Sequence, residues 1–137
     1  MIPVSEARER IVSSLQPVGM ETIPAGSSLS RIVAKNIIAN ITHPPLNVSA
    51  MDGFAVRGKD LSTLPTDLKY TGEIPAGSVH DKEICAGETV AVFTGSSLPP
   101  GTDTVVIQEN AEHLGDKIRF SENTALGKNV RLRGSDF

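Results

Sequence analysis

Pro44-Pro45-Leu46-Asn47-Val48-Ser49-Ala50-Met51-Asp52-Gly53-Phe54-Ala55-Val56-Arg57 is the stretch that decides how this chain is built. Its two prolines fix φ near about −65° and hold the approach extended, so Ser49 and Asp52 reach a tight turn on a pre-set backbone. Gly53 permits a positive φ there. Phe54-Ala55-Val56 then alternates as the start of a strand, which presents the Asp52 carboxylate at a rigid strand entry. A plainer reading exists for the same residues. Asp-Gly is a common hairpin signal, and Pro-Pro followed by Asp-Gly can mark two consecutive turns and nothing more.

C-terminal to this stretch the pattern is β. Short apolar runs at Phe54 to Arg57, Leu68 to Glu73, Glu88 to Phe93, Asp103 to Gln108 and Lys117 to Phe120 are separated by Gly, Pro, Ser, Asn and Asp. Strands spaced this way without intervening helices predict a small barrel or a bent, partly closed sheet. Ile74-Pro75-Ala76-Gly77 reads as a proline-led turn closed by glycine, and Leu98-Pro99-Pro100-Gly101 as an extended segment followed by a reversal.

N-terminal to it, Val4, Ala7, Ile11 and Leu15 recur at helical spacing with Glu6, Arg8, Glu9 and Arg10 turned away, so residues 4–15 read as an amphipathic helix. Its apolar stripe faces the chain's own core or, alternatively, a partner. Ser5 is placed to cap it, and Gln16-Pro17-Val18-Gly19 to end it. Ile23-Pro24-Ala25-Gly26 reads as a loop, after which Ser27 or Ser28 can cap a short helix through Leu29, Ile32 and Val33. Lys35 to Ile41 reads as a strand of β-branched residues. The expected class is therefore mainly β: a helix-bearing linker or dimerisation segment over 1–45, then a compact strand-rich lobe over 46–137 that ends where it returns to the first segment.

Composition narrows the function. With 137 residues the chain fits one domain or two small lobes, and with 4% aromatics and no Trp its core must be aliphatic. The net charge of −3 comes from 13 basic and 16 acidic residues without a run of like charge, so nucleic acid is not an expected partner. No stretch approaches the roughly 20 apolar residues of a membrane span, and the N-terminus lacks a basic region followed by an apolar one. Cys85 is the single cysteine, and a free thiol suits a reducing compartment, so a cytoplasmic location is expected. His43, His80 and His113 lie too far apart for zinc spacing, and Ser49 has no Gly-x-Ser-x-Gly frame.

The run Ser49-Ala50-Met51-Asp52-Gly53-Phe54-Ala55-Val56 closely resembles the signature of the molybdopterin molybdotransferases, the molybdenum-insertion enzymes to which the gephyrin C-terminal domain is related. Four further segments extend the resemblance in the same order across nearly the whole chain. They are Ile74-Pro75-Ala76-Gly77, Val92-Phe93-Thr94-Gly95-Ser96, Leu98 to Glu109, and the pair Asn129-Val130-Arg131 and Gly134-Ser135-Asp136. The chain departs from the family at Leu46, Asn47 and Val48, which stand for phenylalanine, aspartate and asparagine. Ala91 replaces a commonly basic residue, and Ser135 stands where glutamate is usual.

The resemblance implies an enzyme that joins molybdate to adenylylated molybdopterin with Mg²⁺ assisting. In that reading Asp52 is the acidic residue of the signature and binds the cation or a cation-bound water. Thr94 offers a hydroxyl, and Gly95 an open amide, to an oxyanion or phosphate. Ser49 and Gly53 shape the cofactor-binding turn, Arg131 and Arg133 supply fixed positive charge, and Asp136 is a second metal-binding carboxylate. For Thr94-Gly95 a simple strand end is the alternative, and for Glu109 a solvated one. The molybdopterin-binding domain of the family has no counterpart in these residues, and the chain stops after Gly127 to Phe137 without a capping element. The resemblance therefore implies the N-terminal part of the enzyme, inactive alone, its site completed by that domain across a homodimer. The alternatives are a non-catalytic β-rich scaffolding module and a molybdate or cofactor carrier.

Overall fold

A computed structural model describes residues 1–16 and 18–137. The chain forms two units, Met1–Ile38 and Ala39–Phe137. In the first, the helical spacing of Val4, Ala7 and Ile11 produces α1 over Val4–Ser14. Pro3 occupies the N-cap, where its missing N–H costs nothing, and Ser5 lies inside the first turn without capping it. The backbone turns extended at Leu15, so the helix ends one residue short of the expected span 4–15; Pro17 lies outside the described residues. The apolar stripe is exposed, with no residue of α1 buried.

Two further expectations for this half fail. Residues 29–33 form no helix; a single 3₁₀ turn over Ala25–Ser27 precedes them, closed by Ser27 N–H to the Pro24 carbonyl. Lys35 to Ile41 forms no strand, although its β-branched residues favour one. Ile37 and Ile38 are 83% and 75% exposed, and β propensity without a neighbouring strand and a covered face does not hold a ladder.

The second unit is built on strands. They are β1 (Val48–Ser49), β2 (Gly53–Val56), β3 (Thr66–Ile74), β4 (Glu88–Val92), β5 (Thr104–Ile107), β6 (Ala111–Leu114), β7 (Lys117–Phe120) and β8 (Val130–Arg131). Six of them form one sheet in the order β5-β2-β4-β3-β7-β6, antiparallel throughout except for the parallel β3–β4 pair. β5 and β6 are its two edges, yet only residues 108–110 join them. Five interstrand gaps of about 4.8 Å would set the edges of a flat sheet about 24 Å apart. Four residue steps span at most about 14 Å. The sheet therefore curls into a half-barrel, which is the bent, partly closed sheet expected from the strand spacing.

β3 bulges where Gly72 takes φ 126°, so that Tyr70 pairs with Thr89 but Glu73 with Ala91. Alternation along the strands divides the core. Phe54, Val56, Leu68, Val106, Ile118 and Phe120 pack on one side of the sheet; Ala55, Ile74, Ile84, Val90, Val92 and Val105 pack on the other. Both faces of β2 are thus buried, which explains its unbroken apolar run.

Gly53 is needed for a reason different from the one its turn context suggests. Its φ is not positive. It pairs with Ile107 of β5, and a Cβ on it would overlap the Val106 carbonyl oxygen. The residue is glycine so that two backbones can close together at the point where β2 begins.

Candidate functional site

The Pro44–Arg57 stretch bends instead of running extended over residues 43–46, and then forms β1. This short strand lies between two partners. On one side it pairs with β8, Val48 opposite Arg131 and Ser49 opposite Val130. On the other it meets residues 95–98: the Ser49 N–H donates to the Ser96 carbonyl at 2.9 Å, the Gly95 N–H to the Ser49 carbonyl at 2.9 Å, and the Leu98 N–H to the Asn47 carbonyl at 2.9 Å. Three segments distant in sequence thereby converge beside Asp52.

The turn from β1 to β2 is made locally. The Ser49 hydroxyl donates to the Met51 carbonyl and accepts from the Met51 N–H, a serine turn that leaves Ser49 1% exposed. Ser49 is accordingly a builder of the turn and offers no group to a ligand. Gln108 N–H donates to the Asp52 carbonyl at 3.2 Å, tying the turn to the end of β5.

Asp52 then projects an exposed carboxylate whose Oδ1 accepts two hydrogen bonds from one residue. The Thr94 N–H donates at 2.7 Å and the Thr94 hydroxyl at 2.8 Å. The backbone bond first, and the hydroxyl second, hold the Asp52 carboxyl below the usual carboxylate range. The structure brings together Asp52 and Thr94, 42 positions apart, both of them site residues that the resemblance implied separately. It differs from that resemblance on what Thr94 does, since its hydroxyl proton is directed at the carboxylate and not at an incoming oxyanion. The Gly95 amide is likewise engaged by Ser49, so it is not an open donor. Gly95 is required for its φ of 87°, with nothing near the position a Cβ would take.

A second cluster gathers at β8. Arg131 Nη2 donates to both oxygens of Asp136, at 2.8 and 2.7 Å, and this guanidinium holds the Asp136 carboxyl below its ordinary range. His43 Nε2 lies 3.8 Å from Asp136, its ring stacks on Phe137 at 5.6 Å, and its carbonyl accepts the Asp136 N–H. Arg131 is therefore neutralised by Asp136, whereas Arg133 makes no ion pair among the described residues. Asn47, one of the departures from the family pattern, keeps a polar role: its Oδ1 accepts the Arg133 N–H at 2.8 Å.

Mg²⁺ takes oxygen ligands, often one or two carboxylates plus waters and substrate phosphates. Asp52 fits this donor set, because only its Oδ1 is engaged among the described residues. Asp136 does not, with both oxygens facing a guanidinium. No group of three His, Cys, Asp or Glu side chains is placed to hold a metal among the described residues, so no preformed protein cage exists there.

The sequence pattern raised His43 only as a zinc ligand, Asn47 only as a departure from the family and Ser96 only as part of the threonine-glycine segment. For Ser96 a signal was present, a hydroxyl directly following Thr94-Gly95 at the end of an apolar strand. For His43 there was none, because its partners lie more than 90 residues away at the chain's end.

Known proteins share the sequence pattern and the fold of this chain. Residues 2–137 match the family described as the MoeA N-terminal region (domain I and II). The chain is 33% identical over 139 residues to a molybdopterin molybdenumtransferase of Staphylococcus aureus (strain Mu50 / ATCC 700699), covering 98% of this chain and 33% of that protein. It is 35% identical over 138 residues to the protein of the same name from Haemophilus influenzae, covering 99% and 34%. A crystal structure of the molybdopterin biosynthesis moeA protein from Pyrococcus horikoshii OT3 superposes with a TM-score of 0.82 at 30% identity, over 99% of this chain and 37% of that one. The chain thus spans about a third of the length of the curated relatives it matches.

Proposed function

Because this chain belongs to the MoeA N-terminal region family, we propose that it supplies one wall of a site that inserts molybdate into adenylylated molybdopterin. The observation that carries this reading is the Asp52 carboxylate gripped by both donors of Thr94. A carboxylate fixed by two donors to one oxygen stays anionic and keeps its other oxygen in a set direction. That oxygen can bind a hydrated Mg²⁺, which when bound would offset charge on phosphate and molybdate oxygens. Arg133 provides unpaired positive charge for the same anions, and Arg131 acts by locking Asp136 and the chain's last residues in place.

The reading places the rest of the site on a molybdopterin-binding domain of the same family, contributed across a homodimer. Support for a partner comes from the first unit, where Val4 and Ile11 of the helical stripe are 86% and 62% exposed. Cytoplasmic chemistry suits the exposed, unbridged Cys85. No helix of the described residues is long and apolar enough to cross a membrane.

Substituting Asp52→Asn in the full-length protein tests the proposal. Molybdate insertion should fall at least about 100-fold while the far-UV circular dichroism and a cooperative melt are retained, because Asp52 lies outside the core. A scaffolding module or carrier would keep its activity in the cell after this substitution, and that result would overturn the catalytic reading.

A further inference from the structure

We infer that Ser96 is a positioning residue for the Asp52–Thr94 pair, its buried hydroxyl and amide setting the peptide plane from which Thr94 reaches the carboxylate. The inference rests on the reading of Asp52 as the acting carboxylate, but its geometry and its test do not require insertion to be measured.

Ser96 is completely buried, and each of its polar groups is engaged. Its N–H donates to the Phe93 carbonyl at 2.8 Å and its carbonyl accepts the Ser49 N–H at 2.9 Å. Its hydroxyl donates to the Ile74 carbonyl at 2.8 Å and accepts the Phe93 N–H at 3.1 Å. One residue therefore joins the last residue of β3, the middle of the three segments at β1, and the turn after β4.

The Phe93 carbonyl and the Thr94 N–H belong to one planar trans peptide, so they point in opposite directions. Holding that carbonyl with the Ser96 amide aims the Thr94 N–H at Asp52 Oδ1. The preceding amide needs its own partner, because β4 ends at Val92 and its ladder offers no acceptor to Phe93. Ser96 Oγ is that acceptor. Without the hydroxyl, both the Phe93 N–H and one bond to the Ile74 carbonyl are lost inside the protein, and the 93–96 turn must move to find replacements. Thr94 moves with it. Ser97 is a natural control: it is 7% exposed and its hydroxyl also bridges segments, to the Ser78 carbonyl at 2.8 Å, but it does not touch the Phe93–Thr94 peptide.

The test follows the Asp52 side-chain carboxyl carbon by NMR through an acid titration of this chain, unsubstituted and as Ser96→Ala and Ser97→Ala. Ser96→Ala should move the Asp52 midpoint up toward the ordinary carboxylate range and shift the Thr94 amide resonance upfield. Ser97→Ala should lower the melting temperature and leave both signals in place. A Ser96→Ala protein that melts lower while Asp52 and the Thr94 amide titrate as in the unsubstituted chain would make Ser96 a packing residue only and overturn the inference. If Ser96→Ala does not fold, Ser96→Cys, of similar size with a weaker donor, is judged on the same two signals. Shifted signals in a Ser96→Ala protein that keeps full insertion activity would count against the function of Asp52 and leave the positioning standing.

Discussion

Thr94 gives both its protons to one oxygen of Asp52, and the consequences of that arrangement belong to the residue scale. The Asp52 carboxyl titrates below its ordinary value in the folded chain, chiefly through the backbone bond and then through the hydroxyl. A depressed folded value means that these bonds stabilise the protein at pH above the unfolded carboxyl's value of about 3.9, and that this contribution is lost as pH falls through the lower folded value. Thr94→Ala keeps the backbone donor and removes the hydroxyl. Its Asp52 midpoint should rise part of the way back, as read by the carboxyl carbon resonance, and its acid unfolding should begin at a higher pH. An unmoved midpoint would mean that the hydroxyl does not reach the carboxylate in solution. Asp136 follows the same sign with a different cause, the Arg131 guanidinium. The sequence pointed to Asp52, Thr94, Arg131 and Asp136, but it could not assign their partners. Whether a hydroxyl faces a ligand or a neighbouring carboxylate depends on contacts made across 42 positions, and no local spacing encodes them.

Among the elements, β2 carries the most constraint, since it pairs on both edges and is buried on both faces. Gly53 starts it against the backbone of Val106 and Ile107, with no room for a methyl group. Gly53→Ala should therefore cost about 2 kcal/mol or more in denaturant unfolding, because rigid backbone and not a side-chain tip must yield. The same strand shows why much of the architecture was readable. Phe54, Ala55 and Val56 carry their burial in their composition, and Thr66–Ile74, Glu88–Val92, Thr104–Ile107 and Lys117–Phe120 alternate or run apolar as buried strands do. β6 escaped notice because Glu112 and His113 break any apolar pattern on an edge strand. β1 and β8 are two residues each, too short for a period to show. Lys35 to Ile41 failed in the opposite sense: the propensity was present, but no strand lies beside it to complete a ladder.

At the scale of the whole molecule the two units divide the physics. Every buried hydrophobic side chain among the described residues lies in Ala39–Phe137, where the half-barrel closes its own core. In the first unit no hydrophobic side chain among the described residues is buried. The central claim is that Asp52 and Thr94 work as one unit in the proposed site. A double-mutant cycle on molybdate insertion by the full-length protein tests it most directly, using Asp52→Asn, Thr94→Ala and the pair together. If Thr94 acts only through the carboxylate it holds, the double variant should be no slower than Asp52→Asn alone. If the two single losses multiply in the double variant, Thr94 acts on the substrate independently of Asp52, and the account given for the site is wrong.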